Sequence, residues 1–196
     1  PALAGHASQY YDLQKVTWHD WVDSVKEPLQ QLSTHCSKII VVGQSLGGAL
    51  ATQLAYQFPE IINQLILVSP AFEAPIQLKC APMLKIILNS FGKRLWTSIG
   101  GDLKKKAGHE ITYKKLPLNT FIELLNCINH TKKILAHITT PTTVFATPHD
   151  HVIPPKGIQQ GFNKLASQHK ELIWLNNSYH VITRDNDAPQ VHEYVL

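Results

Sequence analysis

A serine placed between two glycines is the first stretch of this 196-residue sequence whose residue types could do chemistry. The motif G-x-S-x-G follows an apolar run directly and consists of Gly43, Gln44, Ser45, Leu46 and Gly47. Such a turn lifts the serine Oγ clear of a sheet and forces positive φ, a strain of about 1–3 kcal/mol that is typical of functional sites. Side chains two residues before and after the serine would collide, so we expect both glycines to be needed. The motif predicts a nucleophilic serine, and a glycine-rich corner without chemistry is the alternative.

A serine alcohol is a weak nucleophile without a base, so a histidine and an acid are expected further along the chain. Asp150 lies just beyond the predicted strand 142–147, and His180 lies five residues beyond the predicted strand 171–175. Functional groups of open α/β sheets sit at the carboxyl ends of strands. The order Ser, Asp, His therefore predicts a triad in which His180 moves the proton and Asp150 holds the imidazole. The Leu46 N–H, in the first turn of the following helix, would bond the oxyanion.

A small metal site is the competing interpretation of the segment around Asp150. His149 and His151 flank this carboxylate, and two imidazoles with a carboxylate are acceptable zinc ligands. No fourth ligand is spaced nearby, so we interpret Asp150 as a triad acid and expect neither a metal nor an organic cofactor. The remaining histidines have no comparable setting, and we expect them to be structural or exposed: His6, His19, His35, His109, His130, His137, His169 and His192.

Strands that alternate with helices are needed to position these residues. Hydrophobic spacing predicts a helix over 17–33, which begins with a cap formed by Thr17 and Asp20 and is kinked or divided at Pro28. Further helices are predicted over 46–58, near 82–91, and over 118–128, 155–169 and 186–196. Strands are predicted over 38–42, 64–69, 142–147 and 171–175. This order indicates an α/β fold in one domain, 1–196, with a mostly parallel sheet flanked by helices.

Composition and charge limit the function classes. Hydrophobic content is 44% and charged content 16%, which indicates a globular chain, and no apolar run approaches the roughly 18 residues of a membrane span. The three cysteines are widely spaced, and we expect all of them to be reduced and packed as small hydrophobic residues in a cytoplasmic protein: Cys36, Cys80 and Cys127. The net charge of +4 comes partly from lysines without interleaved aromatic residues, so no nucleic acid is expected as a partner.

With these residues placed, the chain resembles the α/β-hydrolases, and among them the small bacterial carboxylesterases and monoacylglycerol lipases. The resemblance is carried by the motif at 43–48, by the acid segment 145–154, and by the segment 178–183 with Asp185 and Asp187 after it. It implies hydrolysis of carboxylic esters through an acyl-enzyme. It also implies that residues 71–138 form a cap over an acyl pocket. Six apolar residues of this insertion would line that pocket or only pack in the core: Met83, Leu84, Ile86, Ile87, Leu88 and Phe121.

The sequence departs from this family at its start. The family has Leu-Pro-Gly-His-Gly after an early strand, whereas here Leu3-Ala4-Gly5-His6-Ala7 opens the chain. We therefore expect an N-terminally truncated α/β-hydrolase, the last four-fifths of a longer enzyme, in which the strand 38–42 is an uncovered edge. The loop that supplies the second oxyanion donor would also be absent, a loss of roughly 10²–10³ in kcat.

Other functions stay open at this point. A thioesterase or an acyl-carrier methyl-ester hydrolase would use the same triad, and a truncated inactive relative would act only through protein contacts at its exposed edge. The basic insert, with Lys104, Lys105, Lys106, Lys114 and Lys115, would suit an acidic carrier or an anionic lipid surface. The small-molecule ester substrate is not specified further, and neither is the oligomeric state.

Overall fold

A computed structural model describes residues 1–9, 11–74, 102–105 and 116–196. Within these ranges, a four-stranded parallel sheet runs in the order β1, Ile40–Gln44; β2, Gln64–Val68; β3, Thr142–Ala146; and β4, Lys170–Trp174. The described helices are α1, Trp18–Ser33; α2, Leu46–Gln57; α3, Leu118–Ile134; α4, Pro155–Lys164; and α5, Ala188–Val195. Short 3₁₀ turns lie at Asp12–Gln14, Leu135–His137 and Ile182–Arg184. The predicted α/β class, a mostly parallel sheet flanked by helices, is confirmed.

Strand β2 shows how the two faces of the sheet are covered. Leu65 and Leu67 belong to the larger core, which also contains buried apolar residues of α1, α2 and α3. Ile66 and Val68 belong to a second core that includes Val191 of α5. Successive side chains of a strand point to opposite faces, so helices must pack on both sides of β2 to bury all four.

Helix α1 begins at the predicted cap. The Asp20 carboxylate accepts hydrogen bonds from the Thr17 backbone N–H and hydroxyl, both at 2.7 Å. The backbone hydrogen bond from Thr17 is the largest cause that lowers the pKa of Asp20. The predicted division of the helix at Pro28 does not occur, since α1 runs unbroken past it. Burial of one apolar face, with Trp21 and Leu29 in the core, offsets the roughly 3 kcal/mol that an interior proline costs.

The C-terminal ends of α3 and α4 differ most from the sequence prediction. Helix α3 extends to Ile134 because Thr131 continues its buried face and accepts a 2.9 Å hydrogen bond from Gln53 of α2. Helix α4 ends at Lys164, five residues early, where the Lys170 amine binds carbonyl oxygens at its end, including that of Leu165 at 2.6 Å. The predicted helix near 82–91 and the apolar stripe of the insert, except Phe121, lie outside the described residues.

The cysteines and the sheet edge test two further expectations. Cys127 is fully buried, but Cys36 is exposed, so the prediction that it packs as a hydrophobic residue is wrong; Cys80 lies outside the described residues. Cys36 follows the end of α1, where no apolar pattern required burial. Strand β1 forms one edge of the described sheet, and Ile40 and Val42 are 41% and 46% exposed, as expected for an uncovered strand. In the part of the chain that the structure covers, no helix combines the length and apolarity that crossing a membrane requires.

Candidate active site

Ser45 occupies the turn between β1 and α2 with the backbone strain predicted for a nucleophile. Its φ is 53° and its ψ is −118°. The Ser45 N–H donates to the Val68 carbonyl at 3.0 Å, and the Ser45 carbonyl accepts from the Ala71 N–H at 3.0 Å. Val68 of β2 and Ala71 just beyond it thus hold Ser45 in a backbone conformation that residues other than glycine rarely adopt.

The glycines around Ser45 are not equivalent. A Cβ added to Gly43 would lie 2.3 Å from the Gly47 carbonyl oxygen and 2.8 Å from the Gly48 nitrogen, so the expected collision is real at this position. A Cβ added to Gly47 would meet nothing within 4 Å, and the prediction that this glycine avoids a collision is wrong. The Cβ direction at Gly47 leads out of the turn. Gly48 is the second tight position, because its added Cβ would lie 2.9 Å from the Pro70 Cβ.

The His180 imidazole lies within hydrogen-bonding distance of both other side chains that were predicted for the triad. His180 Nε2 is 2.9 Å from Ser45 Oγ, and His180 Nδ1 is 2.8 Å from Asp150 Oδ2. Asp150 and His180 are only 8% and 5% exposed. Ser45, Asp150 and His180 follow β1, β3 and β4, respectively. Because the carboxyl ends of parallel strands lie at one edge of the sheet, the three residues come together there. With Nδ1–H donated to Asp150, Nε2 is free to accept the serine proton.

The second carboxylate oxygen of Asp150 orients the acid. Asp150 Oδ1 accepts the backbone N–H groups of Val152 and Ile153, each at 2.8 Å. His151 Nδ1 pairs with Asp102 Oδ1 at 2.8 Å. Across the described ranges, no three His, Cys, Asp or Glu side chains are grouped so that they could hold a metal ion. Asp150 thus places one carboxylate oxygen on His180 and the other on two backbone N–H groups.

The loop that carries His180 is held by the Asp185 carboxylate and by Gln44 of the G-x-S-x-G motif. Asp185 accepts the backbone N–H groups of Tyr179, Asn186, Lys104 and Lys105. Burial acts to raise the pKa of Asp185, but these four hydrogen bonds together lower it below the ordinary value. The Thr183 hydroxyl donates to the Gln44 Oε1, which ties this loop to the turn of the candidate nucleophile.

An apolar cavity of about 160 Å³ opens beside Ser45. Leu46, the first residue of α2, belongs to its wall, and its N–H has no partner within the helix. His6 also belongs to this wall, although we expected it to be structural or exposed. Its place in Leu3-Ala4-Gly5-His6-Ala7, the segment that resembles the family's Leu-Pro-Gly-His-Gly, was the sequence signal that could have marked it. The other lining residues are Leu13, Trp21, Ala71, Leu116, Thr120, Phe121, Leu124, Ile128, Val152 and Ile153.

The basic insert is only partly described. Lys104 and Lys105 donate their backbone N–H groups to Asp185, and Lys104 Nζ lies 3.3 Å from the Asn176 carbonyl oxygen. Lys106, Lys114 and Lys115 lie outside the described residues. Asp102, which no sequence motif marks, accepts backbone N–H groups from His151 in the Asp150 loop and from His180.

The chain is similar in sequence to known proteins over its whole length. A family model described as serine aminopeptidase, S33, matches residues 5–187. A thermostable monoacylglycerol lipase of Bacillus sp. (strain H-257) is 35% identical over 198 residues, which cover all of this chain and 76% of that protein. A carboxylesterase of Bacillus subtilis (strain 168) is 26% identical over 197 residues, all of this chain and 77% of that protein.

Solved structures resemble the chain over most of its length. A structure of the metagenome-derived lipolytic enzymes LipS and LipT aligns with a TM-score of 0.91 and 28% identity, and covers 100% of this chain and 78% of the other. A monoacylglycerol lipase of Paleococcus ferrophilus aligns with a TM-score of 0.73 and 18% identity over 92% of this chain and 74% of the other. At 18% identity this second likeness indicates the fold alone.

Proposed function

The chain belongs to the serine aminopeptidase, S33, family of α/β-hydrolases, and from this premise we propose that it cleaves carboxylic esters through Ser45, His180 and Asp150. The family description names a peptidase, whereas the relatives that align over the whole chain are named a monoacylglycerol lipase and a carboxylesterase. This likeness favours an ester over an amide as the substrate.

One observation carries the proposal: the unbroken relay from the Ser45 hydroxyl to His180 and on to Asp150, at 2.9 and 2.8 Å. These lengths are those of real hydrogen bonds. A serine, a histidine and an aspartate that serve only packing have no need to align their polar atoms in this order beside a cavity. The arrangement supports covalent catalysis by an activated serine.

The proposed reaction proceeds in two halves. Ser45 Oγ attacks the ester carbonyl carbon while His180 Nε2 takes the serine proton, and Asp150 stabilises the imidazolium. The carbonyl oxygen becomes an oxyanion, which accepts a hydrogen bond from the Leu46 backbone N–H. The intermediate collapses when His180 returns the proton to the departing alcohol, which leaves an acyl-enzyme. Water then attacks this ester, His180 takes and returns its proton in the same way, and the carboxylic acid is released.

We also propose that the cavity beside Ser45 takes the acyl chain. Phe121, Leu124 and Ile128 of α3 supply apolar surface to its wall. Dry apolar cavities of roughly 150 Å³ hold molecules of about six carbon atoms. The cavity beside Ser45, with a volume of about 160 Å³, therefore accommodates about six acyl carbons. Since α3 lies within residues 71–138, this placement supports the proposal that the insertion forms a cap over the acyl pocket.

The test is a series of nitrophenyl esters with acyl chains of increasing length, together with amino-acid nitroanilides. We expect hydrolysis of the esters and little or no cleavage of the nitroanilides. Ser45→Ala and His180→Ala should abolish the turnover, while Ser37→Ala, a change at an exposed serine, should leave it intact. Ester turnover that survives Ser45→Ala, or a folded wild-type chain without any turnover, contradicts the proposal; the second result would favour an inactive relative.

A further inference from the structure

The short segment 102–105 lies against both loops that carry the candidate acid and base. It belongs to the connection between β2 and α3, and it is far in sequence from either loop. Its contacts run to His151, directly after Asp150, and to the segment 180–185 that begins with His180. The segment therefore bridges two loops whose separation decides whether Asp150 and His180 can bond.

Asp102 provides the bridge from the side of the insertion. Its Oδ2 accepts the backbone N–H of His151 at 3.2 Å and the backbone N–H of His180 at 3.1 Å. Its Oδ1 lies 2.8 Å from His151 Nδ1, and its carbonyl oxygen accepts the Val181 N–H at 3.2 Å. A single oxygen atom thus holds one residue of each loop, and the backbone at His180 is bound on two consecutive N–H groups.

Asp185 provides the same bridge in the opposite direction. It lies in the loop of the candidate base, and its oxygens accept the N–H groups of Lys104 at 2.7 Å and Lys105 at 2.9 Å. The same carboxylate accepts the Tyr179 N–H at 2.9 Å. The two carboxylates therefore satisfy backbone donors, most of them partly buried, that would otherwise be costly.

We propose that Asp102 is a positioning residue that holds His180 in line with Ser45 and Asp150, with Asp185 as its reciprocal partner. This inference rests on the proposed function, because it gives Asp102 a role in the same site. Asp102 does not contact the reacting atoms. It acts through the His180 and Val181 backbone, and it makes the insertion a structural part of the relay, since the residue that sets the distance between the two loops belongs to the insertion.

The experiment compares Asp102→Ala, Asp102→Asn and the control Asp23→Ala, which removes an exposed carboxylate on α1. The readout is the second-order rate with which a fluorophosphonate labels Ser45, divided by the folded fraction. We expect Asp102→Ala to lower this rate by about 10- to 100-fold, the effect of a displacement near 1 Å. Asp102→Asn, whose amide oxygen still accepts N–H groups, should stay within about fivefold of wild type. With an ester, the loss should appear in kcat and not in KM.

Amide hydrogen exchange tests the bridge without any reaction. Exchange at His180 and Val181 should accelerate in Asp102→Ala and stay slow in Asp23→Ala. A labelling rate of Asp102→Ala within twofold of wild type per folded molecule, or unchanged exchange, overturns the inference, even if the melting temperature falls. If the wild-type chain is not labelled at all, the proposed function fails, and the exchange measurement alone then supports or overturns the bridge.

Discussion

Replacing Gly43 by alanine should damage the site, whereas the same change at Gly47 should not. The two glycines occupy symmetric places in the G-x-S-x-G motif, so a sequence comparison treats them alike. Their surroundings differ: the added Cβ at Gly43 meets three backbone atoms, the nearest at 2.3 Å, and the added Cβ at Gly47 meets none within 4 Å. The pair therefore isolates the effect of the turn geometry.

The size of the effect at Gly43 follows from the contact. A Cβ is essentially never found closer than 3.0 Å to another heavy atom, so the backbone of the turn must separate by at least about 0.7 Å. Overpacking of this kind costs about 1–3 kcal/mol in the free energy of unfolding. Ser45 lies between Gly43 and Gly47, the two residues whose backbones would have to separate. If its Oγ moves by the same amount, the 2.9 Å distance to His180 Nε2 exceeds the hydrogen-bonding limit, and reactivity falls by up to about 100-fold.

Urea unfolding and fluorophosphonate labelling of Ser45 measure the two consequences separately. Gly43→Ala should lose stability and label slowly per folded molecule. Gly47→Ala should label at nearly the wild-type rate and gain up to about 0.5–1 kcal/mol, because alanine replaces glycine within a helix. Equal stability and equal labelling rates for the two variants would show that the turn does not require the close approach at Gly43.

Three other predictions follow from particular side chains. The pKa of Asp185 is lower in the folded chain, so its stabilisation is complete above the unfolded pKa of about 3.9 and is lost as the pH falls through the folded value. Urea unfolding should therefore show Asp185→Asn less stable than wild type at pH 7, with a gap that narrows below about pH 4; a constant gap contradicts this. Burial raises the pKa of Cys127 to about 12, so iodoacetamide at pH 8, mapped by mass spectrometry, should modify exposed Cys36 and spare Cys127 until the chain unfolds. Phe121→Ala should enlarge the cavity and shift the preferred nitrophenyl ester toward longer acyl chains, and an unchanged preference would remove Phe121 from the acyl pocket.

The sequence identified the candidate triad because local signals mark each member. Ser45 stands in a motif with a strict backbone requirement, and Asp150 and His180 follow strands whose apolar runs are easy to recognise. The ends of parallel strands meet by topology, so their convergence needed no knowledge of side-chain contacts. The parallel sheet and the helices on both faces followed from the same alternation of patterns.

Features that depend on direction or on distant contacts could not be predicted in this way. Asp102 binds residues 49 and 78 positions away, and no spacing rule links them. The freedom at Gly47 depends on where a Cβ points in a strained turn, which the motif does not encode. Pro28 breaks isolated helices, yet burial of the α1 face outweighs its cost here. The exposure of Cys36 likewise could not be predicted from residue type, because cysteine is among the residues most often buried.

A mapped covalent adduct shows whether His180 activates Ser45. The chain is treated with a fluorophosphonate, digested, and analysed by mass spectrometry for the modified residue. We expect one adduct on Ser45 that is lost in His180→Ala and retained in His149→Ala, which changes a neighbouring exposed histidine. An adduct on another residue, or labelling of Ser45 that is as fast in His180→Ala as in wild type, would show that His180 does not activate Ser45.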